Sequence, residues 1–182
     1  IMFAIVLPVV LAIVLSEATS NTATATLMSP LAIGLASATH TSPIAAVLGA
    51  TIGAKAEQLL RLVSIAGRPP TSRLLAEAAG DTLETVEAEL DALRTSRLVK
   101  LVVEHGHEAI DVYHDRIREA LLGRLPIDDR KELHLRLARA YEALPSPDPI
   151  DLATHYGEAG HPERAAAYFE TAGDRASLAL AF

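Results

Sequence analysis

The sequence predicts a mainly α-helical chain: N-terminal membrane helices, then three helices with a small β-hairpin, and finally an antiparallel array of helices. The first observation is that charge is confined to one part of the chain. Residues 1–54 hold one charged side chain, Glu17, whereas all 16 Lys and Arg and 22 of the 23 Asp and Glu follow from Lys55 onward. The second is that apolar residues recur at helical spacing through most of the charged part. The third is one stretch near residue 105 in which apolar and polar residues alternate, as in a pair of β-strands.

Residues 1–54 are predicted to be an apolar transmembrane fragment. The opening run of residues 1–15, IMFAIVLPVVLAIVL, is wholly apolar. As a helix it would span about 22 Å, short of the roughly 30 Å hydrocarbon core. Because the chain starts with Ile, we interpret this end as the cut edge of something longer. A signal peptide is disfavoured, since no Lys or Arg precedes the apolar run.

A polar stretch, SEATSNTATATLMSP at residues 16–30, lies between apolar segments. At membrane depth its hydroxyls and carbonyls are costly unless they line a cavity or hold an ion, as in the interrupted helices of transporters. Ser20, Asn21 and Thr22 offer side-chain oxygens that suit sodium. The alternative is a polar linker whose hydroxyls bond back to their own helices. The residue types leave both interpretations open.

The segment Glu17-Ala-Thr-Ser-Asn-Thr-Ala-Thr-Ala-Thr, with the apolar run and Pro30 that follow, resembles the second Ser-Asn-Thr motif of the divalent anion:sodium symporter family. The resemblance covers about residues 1–54. It implies that Ser20, Asn21 and Thr22 help to bind sodium and a dicarboxylate or sulfate. The family's first Ser-Asn-Thr repeat and its Thr-Pro-Pro-Asn-Ala-like motif are missing from this sequence. Transport by this chain alone is therefore not expected.

The charged part begins with three predicted helices. Their apolar faces consist of Leu59, Leu60, Leu62, Val63 and Ile65, then Leu74, Leu75 and Ala78, then Leu83, Val86, Leu90 and Leu93. Gly67 and the following Pro-Pro pair end the first helix, and Gly80 ends the second. Thr71 or Ser72 caps the second helix, and the residue pair 81–82 opens the third.

A hairpin follows these helices. The segment RLVKLVVEHGHEAIDVYH reads as two short strands around a turn at residues 105–107. Three helices followed by a hairpin is the winged-helix arrangement, which we predict for residues 57–125. The third helix and its cap carry more acidic than basic residues: Asp81, Glu84, Glu87, Glu89 and Asp91 against Arg94 and Arg97. Nucleic acid is therefore not an expected partner.

Residues 126–182 are predicted to be a helical array. A helix that closes before Pro126 precedes it, and Asp128 and Asp129 open the next helix, whose apolar face is Leu133, Leu137, Ala138 and Tyr141. A helix, a turn at residues 160–162, a second helix and the start of a third follow. Tyr156, Tyr168 and Phe169 alternate with Ala, which predicts small-to-large packing between antiparallel helices, as in tetratricopeptide-type repeats. About one and a half repeats are present, so we expect the array to be truncated.

The phrases VYHDRIREALLGRLP and ATHYGEAGHPERAAAYFETAGDRA resemble a second family. It is the region that follows the ATPase domain in bacterial multidomain signalling proteins, often fused to a Ser/Thr kinase, and the resemblance covers roughly residues 57–182. It implies a non-catalytic regulatory arm whose partner is another protein or the missing ATPase or kinase domain. The phosphate-binding GxxxxGK[ST] loop and the HRD and DFG kinase motifs are absent from the sequence.

The remaining chemistry-bearing residues predict no catalytic or metal site. A metal site could be formed by His105, His107 and His114 together with Glu104 or Glu108. Histidines in an exposed turn are usually solvated, however, and this set lacks a known ligand spacing. The chain has no Cys, which removes disulfides and thiolate sites. The one cofactor we consider is sodium, in an intact transporter.

Two functional hypotheses follow, with a third about the junction. In the first, the helical arm binds a protein and residues 1–54 attach it to membrane lipid. In the second, the chain is a fragment of a sodium-coupled dicarboxylate or sulfate transporter with an unrelated tail. In the third, the junction joins two unrelated fragments through a sequence-assembly error. Lys55, Arg61 and Arg68 closely follow the apolar segment, which predicts a membrane location with residues 55–182 in the cytoplasm.

Overall fold

The computed structural model describes residues 52–104 and 106–180. The predicted N-terminal membrane helices lie almost entirely in residues 1–51, outside the described residues, and nothing in the structure supports them. Within the two described ranges, no helix combines the length and the apolar character needed to cross a membrane. The described residues from Ala54 onward belong to one compact unit.

The part of the chain that the structure describes is mainly helical, with seven helices and one antiparallel two-stranded sheet. In chain order the elements are α1 (Ala54–Ile65), α2 (Ser72–Ala79), α3 (Leu83–Thr95), β1 (Val99–Glu104), β2 (His107–Val112), α4 (Asp115–Leu122), α5 (Ile127–Glu142), α6 (Pro149–Glu158) and α7 (Pro162–Leu180). The prediction of a mainly α fold with a small hairpin is confirmed.

Local capping signals fix α2 and α3 where the sequence predicts them. The Thr71 hydroxyl accepts a hydrogen bond from the Leu74 backbone N–H at 3.2 Å and so caps α2. Gly80 ends α2 at φ 70°, a left-handed conformation that glycine adopts without a Cβ clash. The Thr82 hydroxyl caps α3 by accepting from the Thr85 N–H at 3.3 Å.

The core is centred on α1, which buries seven of its twelve residues. Helix α3 contributes Val86, Leu90 and Leu93, which agrees with the predicted apolar stripe. Leu83, expected on the same stripe, is instead 44% exposed. It lies in the first turn of α3, at the end of the helix where the core no longer covers the stripe.

The hairpin packs against the connection between α1 and α2. Val99 pairs with Val112 at its base, and Glu104 pairs with His107 at its tip. The Ile110 N–H points away from β1 and donates to the Pro70 carbonyl at 2.8 Å. One edge of β2 is therefore bonded to the rest of the fold.

The helices after the hairpin differ from the prediction at one place. The turn at residues 160–162 is confirmed, with Gly160 at φ 84°. The predicted break within the last helical stretch is wrong, because α7 runs without interruption from Pro162 to Leu180. Gly173 lies inside this helix, where a single glycine costs only about 1 kcal/mol relative to alanine and does not end the helix.

Candidate interaction surface

The site residues predicted from the sequence fall mostly outside the structure. Ser20, Asn21 and Thr22 lie outside the described residues. His107 and His114 are exposed, and His105 is not among the described residues. Among residues 52–104 and 106–180, no group of His, Asp and Glu side chains is placed to hold a metal ion.

The first half of α7 is held to the fold by Glu142, at the end of α5. One Glu142 carboxylate oxygen accepts from the Tyr156 hydroxyl at 2.6 Å, and the other accepts from Tyr168 at 2.6 Å and from Arg164 at 2.7 Å. The two tyrosine rings stack with centroids 5.7 Å apart. The Arg164 guanidinium lies 4.0 Å from the Tyr156 ring centre, a cation–π contact. Three helices therefore converge on one carboxylate.

The electrostatics of this cluster follow from its hydrogen bonds. The bonds from Tyr156 and then Tyr168 lower the pKa of Glu142 below its usual value. Burial, followed by the bond to Glu142, raises the pKa of Tyr156 to about 12. The cluster therefore holds a charged carboxylate between two neutral phenols near neutral pH.

Beyond Tyr168, the same helix leaves an apolar stripe uncovered. We name it the distal face; it consists of Phe169, Gly173, Ala176 and Leu180, whose spacing of four, three and four places them on one side of the helix. Phe169 is 55% exposed and Leu180 is 87% exposed. The prediction that Phe169 packs against alanines of a neighbouring helix is therefore wrong for the described chain.

One charged residue borders the distal face. Helical geometry places Glu170 at one edge of it, whereas Asp174 and Arg175 lie farther around the helix, towards Leu178. Leu178 lies about half a turn away from Phe169 and is 66% exposed. It offers an exposed leucine of similar size outside the distal face.

The array that carries α7 is fixed to the first three helices by Arg136 on α5. Its guanidinium donates to the Ala78 carbonyl at 2.8 Å and to the Ala79 carbonyl at 2.7 Å. These are the last two residues of α2, whose carbonyls lack partners within the helix. When the side-chain amide of Gln58 is oriented with its oxygen towards Arg136, this oxygen accepts hydrogen bonds from both terminal nitrogens of Arg136, at 2.8 and 3.0 Å. One side chain thus joins α1, α2 and α5.

Arg68 forms a second connection, from the α1–α2 segment to the start of α6. It donates to Asp148 at 2.7 Å and to Asp151 at 2.6 and 3.0 Å. The bond to Asp148 is the largest of the effects that raise the pKa of Arg68, and it lowers the pKa of Asp148. Burial outweighs the same guanidinium at Asp151 and raises the pKa of that carboxyl.

Two buried histidines lie at the contact between α5 and α6. The Nδ1 atoms of His134 and His155 are 2.8 Å apart, and the Tyr141 ring stacks on His155 with centroids 5.3 Å apart. One Nδ1 must donate and the other must accept, so the pair requires a neutral acceptor ring. Burial, followed by the charge of His134, lowers the pKa of His155 to about 4. Burial also lowers the pKa of His134.

Comparison of the chain with models of protein families, with curated proteins and with solved structures found no significant match in any of the three. The functional argument therefore depends on the geometry of the chain itself. Residue spacing alone does not predict Glu142, Arg136, Arg68 or the histidine pair, since each acts through a partner distant in sequence. The apolar spacing of the distal face was the one signal for this surface that the sequence carried.

Proposed function

We propose that residues 57–182 form a non-catalytic, protein-interaction arm of a bacterial signalling ATPase or kinase. In this proposal residues 57–125 form a winged-helix-like domain and residues 126–182 a tetratricopeptide-like array. The observation that carries the proposal is the distal face of α7, an apolar stripe held in place at one end and uncovered at the other. Its occupant, we infer, is an amphipathic helix of a partner protein.

The two halves of α7 explain why a helix is the expected occupant. In the first half, Ala165 is 5% exposed, packed against α6, which runs antiparallel beside it. The distal face continues the same stripe past the end of α6, which has ten residues against nineteen in α7. Helical arrays bury each such face against the next helix. A partner helix laid along α7 would extend this packing.

The distal face has the composition of a binding surface. Phe169 is an aromatic side chain flanked by Gly173 and Ala172, small residues that let a partner backbone approach closely. Aromatic residues at the centre of an interface commonly carry most of the binding free energy. Glu170, at one edge of the distal face, favours a partner helix with Lys or Arg on the matching side.

The structure offers further support for a protein partner over a nucleic acid. Helix α3 would enter the major groove if a winged-helix domain bound DNA in the usual way. It buries Val86, Leu90 and Leu93 and exposes Glu84, Glu87 and Asp91. This acidic surface opposes phosphates and supports the proposal that DNA is not the ligand.

The membrane location, the lipid contact of residues 1–54 and the cytoplasmic placement of residues 55–182 remain part of this proposal. They rest on the sequence alone. The residues concerned lie almost entirely outside the described ranges, as do Ser20, Asn21 and Thr22 of the transporter hypothesis.

Site-specific photo-crosslinking tests the proposal. A photoreactive phenylalanine analogue is placed at position 169 of the full chain, or at position 178 as the matched control, in native host cells. Cross-linked proteins are identified by mass spectrometry. We expect one protein to be captured from position 169 and not from position 178.

The captured protein is then purified and its affinity measured by calorimetry. Phe169→Asp should weaken binding by about thirtyfold, the loss typical of an aromatic residue at the centre of an interface. Leu178→Asp should change the dissociation constant less than about twofold, since exposed residues outside an interface contribute little. Equal effects of the two variants, or equal capture from the two positions, would contradict the proposal.

A further inference from the structure

A cavity of about 190 Å³ lies between the α1–α2 connection, the hairpin, the end of α5 and the start of α6. Its apolar walls include Pro69, Pro70 and Leu144, and its polar groups include Tyr141 and Asp151. The hydrogen bond from the hairpin to the Pro70 carbonyl fixes two of these walls relative to each other. Sites for drug-sized ligands have volumes of about 300–1,000 Å³. This cavity therefore suits a smaller group, of the size of one side chain.

The Tyr141 hydroxyl lies in this cavity and makes no hydrogen bond to a described residue. Tyr141 is 8% exposed, so the side chain is more than nine-tenths buried. The largest charge effects on its hydroxyl come from Asp151 and Arg68, two residues that line the same cavity. Buried polar groups normally have a hydrogen-bond partner. A phenol that can both donate and accept is therefore available to a bound molecule.

Asp151 brings a second available acceptor to the cavity. Arg68 donates to Oδ1 of this carboxylate through both Nε and Nη2, whereas Oδ2 accepts from no described residue. The Asp151 side chain is 16% exposed. Burial is the main effect that raises the pKa of Asp151, and the negative charge of Asp148 adds to it. A cation bound at Oδ2 would counter both effects, so the cavity favours a positively charged occupant.

We propose that this cavity binds a primary alkylammonium group, with the ammonium on Asp151 and Tyr141 and the aliphatic stem along the apolar walls. An ammonium has three N–H donors, and Asp151 Oδ2 and the Tyr141 oxygen can both accept from it. A guanidinium suits the site less well, because its paired N–H groups bind both oxygens of a carboxylate and Arg68 already occupies Oδ1. The alkylammonium group occurs on lysine side chains of proteins and on free diamines.

The probe for this site is n-butylammonium, which has the stem and the charge of a lysine side chain. Ligand-detected NMR titration of the full chain should give a dissociation constant in the millimolar range, as expected for so small a molecule. The neutral control, n-butanol, should bind at least tenfold more weakly, because it forms no charge-assisted hydrogen bond. No binding of n-butylammonium, or equal binding of n-butanol, would overturn the proposal.

Two variants with matched controls assign the binding to this cavity. Tyr141→Phe removes the hydroxyl and should weaken n-butylammonium binding at least threefold, whereas Tyr113→Phe, outside the cavity, should not. Tyr141→Phe should keep the fold, because the hydroxyl bonds to no described residue. Asp151→Asn should weaken binding at least tenfold, whereas Asp128→Asn removes the same charge from an exposed position and should not. Circular dichroism checks helix content. Equal losses in a variant and its control would overturn the proposal.

A last comparison identifies the source of the alkylammonium group. Tighter binding of acetyl-lysine methylamide than of n-butylammonium would support a lysine side chain of a protein, and tighter binding of putrescine would support a free diamine. If both bind at least tenfold more weakly than n-butylammonium, the cavity accepts neither source and the proposal fails. The inference is independent of the distal face, so Phe169→Asp should leave n-butylammonium binding unchanged.

Discussion

Helices α1 and α7 are both amphipathic, but they differ in how many of their residues are buried. Helix α1 buries seven of its twelve residues, whereas α7, described over its whole length, buries Ala165 alone among nineteen. Both helices carry apolar residues at helical spacing. Helix α1 has α2, α3, α4, α5 and β2 packed around it, while α7 packs mainly along α6. The pattern in a sequence thus identifies an apolar stripe, and the neighbours decide whether the stripe is core or surface.

The largest expected effect comes from truncating a buried side chain of α1. Leu60 is 0% exposed in α1, so Leu60→Ala should reduce the free energy of unfolding by about 2–5 kcal/mol through lost burial and a residual cavity. Leu180→Ala, at the exposed end of α7, should change it by no more than about 0.5 kcal/mol. Urea unfolding followed by circular dichroism measures both. Similar losses from both variants would erase the contrast between the two helices.

The buried contact between α5 and α6 should also be sensitive to acid. The pKa of His155 lies at about 4 in the fold, against 6.5 in an unfolded chain, so protons bind preferentially to the unfolded state between these values. Stability from this group is complete above pH 6.5 and declines as pH falls towards 4, by about 3 kcal/mol in total. His155→Phe should flatten this part of the stability profile. A profile that falls as steeply in His155→Phe as in the unsubstituted chain would contradict this expectation.

The connection between the first three helices and the array should have an intermediate effect. Arg136→Ala removes charge-assisted hydrogen bonds to two helix-end carbonyls, and we expect a loss of about 1.5–3 kcal/mol in the free energy of unfolding. Arg139→Ala, at an exposed position three residues along the same helix, is the control and should cost less than about 0.5 kcal/mol. An equal cost for both would mean that the Arg136 contacts do not stabilise the fold.

The smallest expected effect on the free energy of unfolding comes from a substitution on the distal face. Phe169→Asp replaces a large apolar side chain by a charge, which inside a core would cost several kcal/mol. On the distal face it should change the free energy of unfolding by no more than about 0.5 kcal/mol, as should Leu178→Asp. Urea unfolding of the two variants provides the check. A loss above about 2 kcal/mol for Phe169→Asp alone would show that its side chain is covered within the chain.

The sequence predicted those parts of the fold that depend on neighbouring residues. Thr71, Gly80 and Thr82 act within four positions of themselves, so their roles as caps and as a helix end could be inferred from spacing. The mainly α fold with one hairpin follows from such local signals. The continuity of α7 through Gly173 could not be predicted, because one glycine is compatible with either a helix or a break.

The contacts that hold the fold together could not be inferred in this way. Arg68 bonds to Asp151, 83 positions away, and Arg136 bonds to Ala78, 58 positions away. The same limit explains Phe169, whose spacing predicted packing but whose neighbour is absent from the described residues. The predicted sodium site at Ser20, Asn21 and Thr22 stays a prediction.

Amide hydrogen exchange of α7 in the full chain, alone and with the protein captured through position 169, tests the central claim most directly. Without the partner, amides from Gly173 to Leu180 should exchange at least tenfold faster than those near Tyr168, because no packing supports the distal turns. Adding the partner should slow exchange in the distal turns and leave the first half unchanged. Equal protection along the whole of α7 before any partner is added, or no slowing after it, would contradict the assignment of the distal face as an interaction surface.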